Sequence, residues 1–211
     1  MTELVILILV ITSFLISMII GNYMYKIENK KAFNYLNTFP FEMESKKNNG
    51  FTLLFRILLG LFIVLTCIDI LYLFVFHFDS VLNTRFLGGV LLLDALLIFG
   101  LFIINGRLYK GHIFISSSIF VLTSIGYLML GYISIVNEKP LYVTIISFVV
   151  GSLLLIVIFL PLLKEGFKLE VESSEENFIT SRKKFNLLVF NEWINIVLVI
   201  ILLILYTTIY L

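Results

Sequence analysis

The sequence predicts an all-α fold: a polytopic integral membrane protein forming one six-helix transmembrane bundle over residues 1–211. Three observations predict it. The 211 residues are 60% hydrophobic and 14% charged, with a mean hydropathy of +1.08. A water-soluble domain averages about 45–50% apolar and about 25% charged, so this chain has too few polar side chains to cover the apolar ones in water. The apolar residues also fall in continuous blocks of the length a helix needs to cross a hydrocarbon core of about 30 Å. A β-barrel would show short alternating segments instead. Finally, the basic residues alternate from loop to loop.

The blocks are 4–25, 51–76, 86–104, 113–136, 141–163 and 187–211. The first is expected to be a retained anchor rather than a cleaved signal. Met1-Thr2-Glu3 carries no positive charge, the apolar run is long, and no small-residue cleavage site follows. Pro140 opens the fifth block, where its missing N–H costs nothing in the first helical turn. The connecting loops on one side are then 26–50, 105–112 and 164–186.

Of the 15 Lys and Arg residues, all but Arg85 and Lys139 fall in or beside those three loops. The positive-inside rule places such loops in the cytoplasm. Both termini are therefore expected on the non-cytoplasmic side of a cell membrane. An even number of spans is needed for the alternation to hold.

Several chemistries find no support in the residues. Cys67 is the single cysteine and lies in an apolar run, so no intramolecular disulfide can form. His77 and His112 stand far apart, with no cysteine or histidine at ligand spacing, so no metal site and no cofactor is expected. No phosphate-cradling glycine loop and no Gly-x-Ser-x-Gly elbow occurs. A net charge of +1 gives no reason to expect a nucleic-acid partner. The expected partners are the lipid bilayer and other membrane proteins.

Two groups of residues stand out. An ionisable side chain at bilayer depth costs about 2.5–3.5 kcal/mol on insertion scales and often has a task. Asp69 and Asp94 lie in the second and third blocks, each some 10–12 Å from the same end at about 1.5 Å per residue. On adjacent antiparallel helices they could share a proton or hold a cation. Asn105 is eleven positions after Asp94, about three turns on, and so shares its face. Glu192, beside Asn191, Trp193 and Asn195, is expected at the membrane interface. The second group is Phe39, Pro40, Phe41 and Glu42, aromatic residues around a proline in a lysine-rich loop. It reads as a docking motif or as an interfacial anchor.

Small residues at helical spacing mark packing seams, where backbones approach closely. Ser13, Ser17 and Gly21 form one in the first block; Ser117, Ser124 and Gly131 form another in the fourth; Thr144, Ser147 and Gly151 form a third in the fifth. Without a catalytic set, the leading functional expectation is a non-enzymatic accessory subunit of a membrane complex. The alternative is a small proton- or cation-coupled transporter or channel that uses the paired carboxylates.

Overall fold

The computed structural model describes residues 2–44, 49–76, 82–104, 109–163 and 187–209. They form six α-helices: α1 (Thr2–Asn29), α2 (Asn49–Phe76), α3 (Leu82–Ile103), α4 (Tyr109–Val136), α5 (Leu141–Leu163) and α6 (Leu187–Ile209). A 3₁₀ turn, Pro40–Met43, lies between α1 and α2. Five helices are long and apolar enough to cross a membrane, and α5 carries a further apolar run at Leu141–Val157.

Helix ends follow local chemistry. Lys30 takes a left-handed backbone (φ 52°) and stops α1. Glu138 does the same after α4 (φ 51°). There the Glu138 N–H donates to Ile135 O at 3.2 Å and the Lys139 N–H to Ser134 O at 2.9 Å. This is the Schellman pattern that closes orphan carbonyls. Pro140 then cannot extend α4, and its own carbonyl accepts the Val143 N–H at 2.9 Å as α5 begins.

Each helix packs against the next in sequence from α1 to α5. The last, α6, returns to α4, α3 and α1 and closes the bundle, while α5 lies outside against α4. Polarity is distributed for lipid rather than water. Leu141, Ile19 and Val75 are 72%, 65% and 63% exposed, whereas Asp69, Asp94, Thr123, Ser124 and Thr207 are fully buried. In hydrocarbon a polar side chain gains by turning inward to a partner, and an apolar one loses nothing by facing out. The molecule is thus a multi-pass membrane bundle.

The seams show how closely the helices approach. Ser13 and Ser17 are buried and donate to their own helix, at Val10 O (2.8 Å) and Phe14 O (2.6 Å). A Cβ added at Gly21 would lie 2.9 Å from the Phe55 ring and 3.0 Å from Met43 Cβ. Between α4 and α5, the Ser124 hydroxyl donates to Gly151 O at 2.6 Å, and Gly131 leaves room for the Phe148 ring. Ser117 is exposed; its neighbour Ser116 is the buried one.

Candidate functional site

The bundle holds ionisable groups at three levels. At the first level, the end that carries the Pro40 turn, His112 occupies the first turn of α4 and Glu192 the second turn of α6. His112 Nε2 lies 2.9 Å from Glu192 Oε1, and both residues are 1% exposed. An ionised carboxylate only accepts, so opposite one the donor of this hydrogen bond is Nε2. His112 Nδ1, Glu192 Oε2 and nearby Asn195 Oδ1 are buried with no hydrogen-bond partner among the described residues.

The segment between α1 and α2 closes over this pair. Asn34 starts a turn by accepting the Leu36 N–H on its side chain (3.0 Å) and the Thr38 N–H on its carbonyl (2.9 Å). The Glu42 carboxylate accepts the Phe39 N–H at 2.8 Å, half of a capping box at the turn's start. Thr38 O accepts the Trp193 indole N–H at 2.9 Å, which ties the segment to α6. Phe39 is 0% exposed, Pro40 is buried, and Phe41 and Glu42 are half-buried. The Phe39 and Phe41 rings stand edge-on to the His112 imidazole at 5.3 Å and 5.2 Å, so the motif is packed inside the chain's own bundle. Trp193 extends the aromatic cluster to Phe33, Tyr35 and Phe102.

The second level lies mid-bundle. Position 123 is eleven residues beyond His112 on α4, about 16 Å along the helix. There the Thr123 hydroxyl is 3.2 Å from Asp94 Oδ2 and 2.7 Å from Ile119 O. The third level is near the far end. Thr207 stands fifteen residues beyond Glu192 on α6, about 22 Å along. Its hydroxyl is 2.9 Å from Asp69 Oδ2 and 3.0 Å from Leu203 O.

The two acids thus share one construction. Each meets a threonine whose hydroxyl also reaches the carbonyl four residues earlier. A hydroxyl has one proton and cannot donate to both acceptors. Two arrangements satisfy this: the threonine donates to an ionised carboxylate and leaves the carbonyl to its helical N–H, or a protonated acid donates to the threonine oxygen and the threonine donates to the carbonyl. Asp69 Oδ1 and Asp94 Oδ1 remain buried without a partner among the described residues. Each threonine can thus meet its acid with or without a proton on the carboxyl group.

Of the residues singled out in the sequence, Asp69 and Asp94 are both fully buried. No hydrogen bond joins them; Asp69 bonds to α6 and Asp94 to α4. Asn105 lies outside the described residues. Thr66, one turn before Asp69, donates to Phe62 O on its own helix at 2.8 Å. Among the described residues, no group of three His, Cys, Asp or Glu side chains could hold a metal ion. Sequence reasoning missed the pairing of His112 with Glu192. The available signal was a glutamate flanked by asparagines near the start of an apolar block, but nothing in the spacing named its partner.

Comparison with protein-family models, with curated proteins and with solved structures returns no match.

Proposed function

We propose that this bundle handles protons: it is a small membrane transporter that moves protons, or a solute together with protons, using Asp94 and Asp69 as protonation sites. The observation that carries this reading is the repeated acid–threonine–carbonyl arrangement, present at two depths of one bundle. An intramembrane carboxyl group is costly and usually belongs to an ion or proton path. A single such group could serve as helix glue. Two of the same construction, on different helix pairs and about 6 Å apart in depth by helix rise, make two neighbouring protonation sites. The His112–Glu192 pair at the end carrying the Pro40 turn supplies a third ionisable level.

The basic loops set the direction. On the positive-inside rule, the end bearing Lys26, Lys30 and Lys31 faces the cytoplasm, with both termini outside. Cysteines placed at Lys30 and at Glu138 in a Cys67→Ala background should react with impermeant maleimide from opposite sides.

The test of function is proton flux in proteoliposomes containing a pH-sensitive dye. Asp94→Asn and Asp69→Asn, each shown to be folded and monodisperse, should abolish flux. Unchanged flux in both variants would sink the reading. No flux from the native chain would do the same, and would leave the accessory-subunit role as the working expectation.

A further inference from the structure

A groove runs along the outside of the bundle between α1 and α6. Its volume is about 450 Å³, within the range of about 300–1,000 Å³ typical of small-molecule sites. Its walls are almost entirely apolar. Phe14, Leu15 and Met18 of α1 face Trp193 and Val197 of α6, and Tyr35 stands at one end.

The length and position of the groove indicate what fills it. Phe14 lies near the middle of α1, and Lys26 is twelve residues further on, about 18 Å along the helix. Half a hydrocarbon core is about 15 Å. Lys26 therefore lies at about the level of the headgroups, beyond the lining of the groove, which begins near mid-membrane at Phe14 and ends at Tyr35. The apolar walls of the groove suit an acyl chain.

The mouth has a different character. Leu15, Asn22 and Lys26 fall on one stripe of α1, since eleven residues make about three turns. Asn22 Nδ2 donates to the Tyr35 hydroxyl at the rim. Lys26, Lys30 and Lys31 are exposed at the end of α1, and Glu28 is the carboxylate among them. None of the three lysines makes an ion pair to a described residue. Three such ammonium groups at headgroup depth complement a phosphate.

We infer that the α1–α6 groove is a binding site for one anionic diacyl phospholipid, with an acyl chain along Leu15, Met18 and Val197 and its phosphate at Lys26, Lys30 and Lys31. The site does not depend on proton transport. Its inner wall is Trp193, whose indole also holds the segment over His112 and Glu192. The lipid therefore touches the residue that keeps that segment in place.

Trp193 is the single tryptophan, so its fluorescence reports the groove directly. The protein would be placed in vesicles containing phospholipids with brominated acyl chains, which quench on contact. Brominated phosphatidylglycerol diluted in plain phosphatidylcholine should quench Trp193 at a lower mole fraction than the reverse mixture. Lys26→Gln should weaken that preference roughly fivefold, the effect of one charge near the surface. Val197→Phe, which fills the groove, should remove the quenching; Leu15→Phe is the second plug if that variant does not purify. Equal quenching by both lipids would show ordinary annular contact and overturn the site. Absence of quenching by either lipid, as when a second copy covers the groove, would also overturn it.

Discussion

His112 and Glu192 are 80 residues apart in sequence, yet their side chains meet at 2.9 Å with both residues almost wholly buried. Losing one side of this contact and losing both are not equivalent. Removing one partner leaves a buried polar group unmatched, at about 1–3 kcal/mol. Replacing both with apolar groups of similar shape is often neutral.

His112→Ala should therefore lower the thermal stability of the detergent-solubilised protein strongly, as should Glu192→Ala. The double replacement His112→Phe with Glu192→Leu should recover most of the loss. A thermal-shift double-mutant cycle measures this directly. Additive losses in the double variant would mean that the pair does not interact in the membrane.

The turn at Pro40 makes a separate prediction. Phe39 is fully buried beside His112, and truncating a buried phenylalanine costs about 3–5 kcal/mol. Phe39→Ala should open the first turn of α4 to water. Hydrogen exchange at residues 112–116 should then quicken relative to the middle of α4. Glu42→Gln keeps an oxygen able to accept the Phe39 N–H and should cost about 1 kcal/mol or less. A docking motif for another protein would behave differently: Phe39→Ala would leave exchange unchanged and abolish only an interaction.

Much of the bundle was legible from hydropathy, because in lipid the apolar block and the helix nearly coincide. The boundaries moved where polar residues prolong a helix past the hydrocarbon. The third block was expected to begin at residue 86, but α3 starts at Leu82, ahead of Asn83, Thr84 and Arg85. Likewise Tyr109 to His112 were expected in a loop and form the first turn of α4. Asp69 and Asp94 could be picked out because an acid inside an apolar run is conspicuous. Their partners could not. Thr123 and Thr207 look like ordinary residues of apolar helices until α4 and α6 are brought against α3 and α2. Glu192 was expected at the interface because Trp193 beside it resembled a belt residue. In the structure the indole N–H is spent on Thr38 O, and the folded segment that supplies this carbonyl covers the glutamate.

Asp94 allows structure and activity to be separated. Asparagine keeps the shape and an oxygen that can accept from Thr123. Single polar contacts between membrane helices average about 0.6 kcal/mol. Asp94→Asn should therefore melt close to the native chain while losing proton flux. Thr123→Val removes the hydroxyl and should slow flux less than Asp94→Asn does, because the carboxyl group remains. Equal losses from both variants would point to a shared structural fault and not to protonation at Asp94.

Glycines offer a control in which steric fit alone decides the outcome. Gly126 of α4 faces α6, where an added Cβ would stand 2.6 Å from Leu202 Cδ2. Gly89 of α3 has open space at the same test, with nothing within 4 Å. Overpacking a close helix contact costs about 1–3 kcal/mol, so Gly126→Val should broaden or lower the melting transition. Gly89→Ala should do neither, and could raise stability slightly because alanine favours the helix by about 1 kcal/mol over glycine. Proton flux should fall in Gly126→Val, since α4 and α6 carry Thr123 and Thr207. The same pair of variants thus tests whether spacing between these two helices, rather than helix content, sets the geometry of the two acids.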